Sequence, residues 1–181
     1  MIIRELKQDD LNSLMEFYVS LPNQDRKYLR IDVTDRKLVK QRITDSENKK
    51  DIRLAAWYEG KIIGTGALEL GHDWKRDLGE LRLIVSKEFQ RKGVGTLLAR
   101  EIYYKAAEKG VHKLVVKMMR PQKAAQNIVK KLGFDHDTVL PDYVLDQLGR
   151  PQDLLVMTCD MKNFWKELEH VYNDSDWRRC R

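Results

Sequence analysis

The stretch VSKEFQRKGVGTLLAR, residues 85–100, carries the chain from a strand into a helix. Two glycines, Gly93 and Gly95, stand at the junction, behind a polar basic run. Upstream, Leu81, Leu83 and Val85 alternate with Glu80, Arg82 and Ile84, which is the pattern of a strand with two different faces. Downstream, Val94, Leu98, Ile102 and Ala106 recur every four residues, one stripe of a helix that Gly110 ends. At a helix N-terminus the first N–H groups lack internal partners and the helix dipole adds partial positive charge. A phosphate placed there takes several N–H bonds at once. Glycine admits positive φ and lets the backbone approach a bulky diphosphate, and Arg91 and Lys92 add charge. The same glycines also suit a plain turn. A Walker loop and a three-glycine dinucleotide fingerprint are both absent.

Outward from this junction the pattern is mixed α/β. Residues 1–6 read as a strand. Leu11, Leu14, Met15 and Tyr18 recur at helical spacing until Pro22 and Asn23. Thr34 is the expected cap of a second helix carrying Leu38, Val39 and Ile43, and residues 45–51 read as a polar loop. Ile52, Leu54, Ala56 and Tyr58 alternate with Arg53, Ala55 and Trp57; Glu59-Gly60 makes a hairpin turn, and residues 61–70 return. Residues 71–78 read as a loop. A strand follows over 111–119. Pro121 is the expected first position of a helix lined by Ala125, Ile128 and Leu132 and ended by Gly133. Two strands, around 134–145 and 153–159, are joined by the turn LGRPQ. A last segment carries Phe164, Trp165, Leu168, Val171 and Tyr172. The expectation is a mostly antiparallel sheet of about seven strands, with residues 80–119 as a parallel crossover. The domain spans 1–161, with a helical extension and frayed tail over 162–181.

Composition sets limits. The chain has 181 residues, enough for one domain. Lys and Arg number 34 against 28 Asp and Glu, and the signs are interspersed, so the net +6 does not make a nucleic-acid stripe. No apolar run reaches a membrane span, and the start MIIRELKQDD lacks the apolar core of a secretion signal. A cytoplasmic protein with no membrane or nucleic-acid partner is expected. Cys159 and Cys180 are too few for a disulfide framework, and Cys159 reads as a small buried hydrophobe. His72, His112, His136 and His170 are scattered, so no metal is expected. Arg26, Lys27, Arg30, Arg36 and Lys37 make the region between the first helices basic.

Gln90-Arg91-Lys92-Gly93-Val94-Gly95-Thr96 resembles the Q/R-x-x-G-x-G/A signature of the GNAT family of N-acetyltransferases, and Lys131-Leu132-Gly133-Phe134 is similar to its K-x-G-F ending. The resemblance implies acetyl-coenzyme A, with its pyrophosphate on the backbone amides of Gln90, Arg91, Lys92, Gly93, Val94, Gly95 and Thr96. It implies a central V-shaped splay between residues 80–85 and 111–119, with the pantetheine arm in the gap against the backbone of Ile84 and Val85. It also makes the region between the first helices the substrate side.

Acyl transfer to an amine needs a general base, since an alkyl amine has a pKa of about 10.4. Glu80 lies five residues before Val85, where protein-acetylating members of the family carry a glutamate, and is the candidate base; Glu69 is the fallback. The oxyanion donor is a backbone N–H near Val85. Many members carry an N-x-x-A-x-x-φ-Y run before K-x-G-F. Here Gln122 stands at its Asn, Ala125 at its Ala and Val129 at its Tyr, so the usual proton donor is missing. Gln122 retains hydrogen-bonding capacity toward the cofactor, Asn127 is out of register, and Tyr143 is the substitute donor. The functions weighed are an N-acetyltransferase acting on a small-molecule or protein amine, then a regulatory acyl-coenzyme A binder without catalysis, and last a nucleic-acid module, whose only motive is the net charge. The aromatic stripe of the C-terminal segment packs on its own domain or in a homodimer.

Overall fold

The computed structural model describes residues 1–29, 31–48, 51–146 and 149–174. Arg30, the Leu148 end of the LGRPQ turn and the tail 175–181 lie outside them. The described residues form a seven-stranded sheet in the order β1-β2-β3-β4-β5-β7-β6. The strands are β1 (Ile2–Glu5), β2 (Asp51–Tyr58), β3 (Lys61–Leu70), β4 (Leu78–Val85), β5 (Lys113–Met119), β6 (His136–Leu145) and β7 (Pro151–Asp160). The helices are α1 (Leu11–Ser20), α2 (Asn23–Arg26), α3 (Arg36–Glu47), α4 (Val94–Glu108), α5 (Lys123–Lys131) and α6 (Met161–Asp174).

The β2–β3 hairpin turns on Glu59 and Gly60, with φ of 49° and 74°. Two successive left-handed residues match the twist of the flanking strands. β3 and β4 pair antiparallel from Gly64 opposite Val85 to Leu70 opposite Gly79. β4 and β5 are the parallel pair, registered at Leu78, Gly79 and Glu80 against Lys113, Leu114 and Val115. β4 then continues to Val85 and β5 to Met119, and β5 stays paired with β7 along its length. The two central strands therefore part beyond Glu80, and the V opens toward their C-terminal ends. In parallel arrangements that end is where ligands bind.

The two faces of the sheet are covered differently. One face packs α4 and α6 through Leu68, Leu81, Leu98, Ile102, Leu114, Met157, Phe164 and Leu168, all within 3% of full burial. Truncating Leu98 or Ile102 to alanine there costs about 2–5 kcal/mol. The other face meets α1 and α3 through Leu14, Phe17, Val39, Ile43 and Ala55. That second cover reaches Ile84 but leaves the β4–β5 opening uncapped by either helix's apolar stripe.

Five expectations need correction. Asp35, not Thr34, caps α3: its carboxylate accepts from the amides of Lys37 and Leu38 at 2.8 and 3.3 Å, while Thr34 is engaged by Asp32. α3 absorbs 45–47 from the expected loop. Gln41 donates to Asp45 one turn on, and Glu47 accepts from the Gln8 amide, so polar residues extend the helix without needing a core. α5 begins at Lys123 with Gln122 as its cap, and Pro121 lies in the preceding turn. Ile128 is exposed; the inner face instead takes Gln126, whose Nε2 donates to the Arg120 carbonyl at 2.7 Å. Tyr58 leaves the buried face of β2 because the register shifts between Ala56 and Trp57.

α6 uses its stripe within the chain. Phe164 meets Phe134 edge-on at 5.9 Å, and Trp165 stacks on Tyr103 of α4 at 4.6 Å. The side chains of Val171 and Tyr172 lie outside the described residues. Among the described residues no helix is long and apolar enough to cross a membrane.

Candidate active site

β4 ends at Val85, and the Ser86 amide donates to Ile63 of β3 at 3.0 Å. A short turn at Lys87–Phe89 follows. Gln90 folds back, its Nε2 donating to the Val85 carbonyl at 3.1 Å. Arg91 and Gly93 are both left-handed, with φ of 61° and 80°. They reverse the chain so that α4 starts beside the open end of β4. The first helical bond runs from the Leu97 amide to the Gly93 carbonyl at 3.0 Å, so the amides of Val94, Gly95 and Thr96 have no carbonyl behind them within the helix. The Val94 side chain is buried in the core, which pins the helix and leaves the residue only its amide for a ligand.

The two glycines are there for different reasons. Gly93 is required by its φ. Gly95 is not required by packing: a Cβ built on it meets nothing nearer than Val85 Cγ2 at 3.7 Å, an ordinary contact. Arg91 and Lys92 are exposed, with Lys92 Nζ over the Phe89 ring at 5.2 Å. Oriented amides, the positive end of a 15-residue helix and two exposed cations fit a diphosphate.

A second cluster lies on the sheet face that carries Glu80. Strand register sets Asp51, Glu69 and Glu80 side by side across β2, β3 and β4. Further along the strands, Arg53 and Arg82 flank Ala67. Like charges directly across strands repel. The row is held by cations from four elements. Arg82 Nη2 donates to Glu69 Oε2 at 2.8 Å and to Glu80 Oε1 at 3.4 Å. Arg42 of α3 reaches Glu69 Oε1 at 3.0 Å, and Arg53 reaches Asp51 at 3.1 Å and Glu69 at 3.4 Å. Lys117 of β5 reaches Glu80 Oε2 at 2.8 Å.

Beyond that row, the Tyr18 hydroxyl is hydrogen-bonded with Thr65, which is registered against Ile84. Burial pushes the Tyr18 phenol up, with Arg53, Arg82 and Arg42 pulling the other way. It therefore stays protonated at neutral pH.

The expected residues separate into groups. Glu80 and the Gln90–Thr96 stretch flank the opening of the splay from the strand and helix sides, with Ile84 and Val85 between them. Gln122 acts locally, since its Oε1 accepts from the Met119 amide at 2.8 Å and so fixes the end of β5. Val129 packs on the larger core. Tyr143 is 66% exposed on the edge strand β6, which β7 separates from β5. Asn127 is exposed. Cys159 is buried, and burial pushes its thiol up to about 12. The charge lattice of Arg42, Arg53, Arg82 and Lys117, and Tyr18 with Thr65, were not singled out from the sequence. The available signal was the charged residues inside apolar strands; which of them meet depends on register.

The model of the acetyltransferase (GNAT) family matches residues 11–134, and the chain belongs to that family. Its donor is acetyl-coenzyme A, which fits the cradle described above. Solved structures repeat the fold. A ribosomal-protein-alanine N-acetyltransferase from Brucella melitensis is 23% identical with a TM-score of 0.76, covering 88% of this chain and 99% of its own. The yncA protein of Salmonella typhimurium, solved with acetyl-CoA, is 21% identical with a TM-score of 0.74, covering 89% of this chain and 94% of its own. A spermidine N-acetyltransferase from Vibrio cholerae is 17% identical with a TM-score of 0.71, covering 91% of this chain and 97% of its own.

Proposed function

We propose that the chain transfers an acetyl group from acetyl-coenzyme A to a primary amine, with Glu80 as the general base. The observation that carries the reading is the position of Glu80. Its side chain is 13% exposed, at the last registered pair before β4 and β5 part. Arg82 and Lys117 hold its carboxylate in place, at 3.4 and 2.8 Å.

The donor supplies the activated acyl group. The amides of Gln90 to Thr96, with Arg91 and Lys92, hold its diphosphate. The backbone of Ile84 and Val85 aligns its arm. Gln122 holds the end of β5 and so the far wall of the opening. Holding amine and thioester together supplies much of the rate.

Two hydroxyls stand for the missing proton donor at Val129. Tyr143 is the exposed one. Tyr18 is nearer to β4, since its partner Thr65 is registered against Ile84. Tyr18→Phe and Tyr143→Phe separate them, because kcat falls for the residue that donates.

The acceptor is a small-molecule or protein amine, and the setting we infer is cytoplasmic. Phe164, Trp165 and Leu168 pack against their own chain, which supports the intrachain reading of the α6 stripe over a homodimer; light scattering on a chain truncated before Lys162 tests the two. A thiol-release assay over a panel of amines tests the function. Turnover that requires Glu80 supports it. Donor binding without turnover on any amine leaves a regulatory acyl-coenzyme A binder.

A further inference from the structure

We propose that the chain acetylates itself on Lys117. The inference rests on the reading of Glu80 as base and of acetyl-coenzyme A as donor.

Lys117 sits two residues beyond Val115, the β5 partner of Glu80, and so projects on the same sheet face. Its side chain crosses from β5 toward β4 where the two strands part. Its Nζ stands 2.8 Å from Glu80 Oε2. A general base acts on a nitrogen within about 2.6–3.2 Å or through one water, so this amine stands within direct reach of the proposed base. Two other ion-paired lysines among the described residues lack that setting. Lys113 meets Asp160 at 3.6 Å at the closed start of β5, and Lys105 meets Glu5 at 2.8 Å on the far edge of the sheet.

The backbone under Lys117 is fixed by pairing with Val156 of β7, while its four-carbon stem has rotatable bonds through which the ammonium can change position. The side chain is a third exposed, so it has room to swing along the opening. An internal amine also needs no association step, which favours it over an amine in solution.

The step balances. The first proton of the Lys117 ammonium passes to Glu80. The nitrogen lone pair attacks the thioester carbonyl; a C–N bond forms and the C–S bond breaks. The second nitrogen proton ends on the departing thiolate, giving the free thiol, and Glu80 returns its proton to water. The product is a neutral amide that cannot form an ion pair with Glu80. Arg82, at 3.4 Å, stays on the base.

The test uses the full chain with acetyl-coenzyme A and no added amine. Donor is removed by gel filtration, and acetyl groups are located by peptide mass mapping. Thermal stability with and without donor is measured on the same sample. The expected result is acetylation of Lys117 well ahead of exposed lysines such as Lys162, at a rate independent of protein concentration. Glu80→Gln should slow it by roughly 10²–10⁴-fold while donor stabilisation persists. Lys117→Arg should leave no fast site in the map. Stabilisation by donor with Lys117 unmodified, or modified no faster than Lys162, overturns the inference and leaves the proposed function standing. Absence of stabilisation overturns both.

Discussion

Lys117 Nζ and Glu80 Oε2 are 2.8 Å apart, and they come from the two strands that separate just beyond them. The pair therefore closes the narrow end of the V. Glu80 is held from the other side by Arg82, which also binds Glu69 in the neighbouring strand. Any acceptor amine that uses Glu80 must share it with these two cations.

Glu80→Gln keeps the shape and hydrogen-bonding reach of the side chain and removes its basicity. We expect kcat to fall by roughly 10²–10⁴-fold, with stabilisation by acetyl-coenzyme A retained. Steady-state thiol release and a thermal shift on the same variant check this. Unchanged kcat removes Glu80 from the mechanism.

Asp10 ties the first strand to the first helix. Arg4 donates to both of its oxygens at 2.6 and 2.7 Å, and the Lys7 amide donates at 2.9 Å. The Arg4 hydrogen bonds hold its carboxyl below the usual range, outweighing burial. A depressed carboxylate pKa stabilises the fold above the unfolded value of about 3.9, and that contribution is lost as pH falls through the folded value. Asp10→Asn should cost about 1 kcal/mol at pH 7, the low end, because Arg4 remains 42% exposed. Thermal melts should show the difference from the parent shrinking toward pH 3. A constant difference contradicts the assignment.

Cys159 lies at the centre of the larger core, with its thiol pushed up to about 12 by burial first and by nearby carboxylates second. The thiolate is the reactive form, so at pH 8 this cysteine should resist a thiol reagent until the protein unfolds. Labelling followed by peptide mapping reads this. Fast native labelling at Cys159 would mean that the β7–α6 packing opens readily.

The fold was legible wherever periodicity and turn chemistry agree. The Glu59-Gly60 hairpin, the stripe of α4 and the crossover from β4 to β5 are all written in local pattern. Two of the errors fell where one polar side chain outranks the pattern: Asp35 over Thr34 as a cap, and Gln126 over Ile128 on the inner face of α5. The splay between β4 and β5 came from family resemblance, since nothing in either strand's own alternation encodes where pairing stops. The lattice around Glu80 was the least legible part. Arg42, Arg53, Arg82 and Lys117 come from four separate elements; strand register sets the last three, and the packing of α3 brings Arg42, onto two carboxylates.

The most direct measurement is a thermal shift with acetyl-coenzyme A on the parent and on Gly95→Glu. A side chain at Gly95 has ordinary room, and a carboxylate in the first turn of α4 suits the helix dipole, so the variant should fold at least as stably as the parent without ligand. Its charge would stand among the amides that hold the diphosphate. At about a hundred times the dissociation constant, binding adds roughly 2.7 kcal/mol, or roughly 5–10 °C for a chain of this size. The expected result is that shift in the parent and its loss in a well-folded Gly95→Glu. An equal shift in both, or none in the parent, would contradict the placement of the donor on the N-terminus of α4.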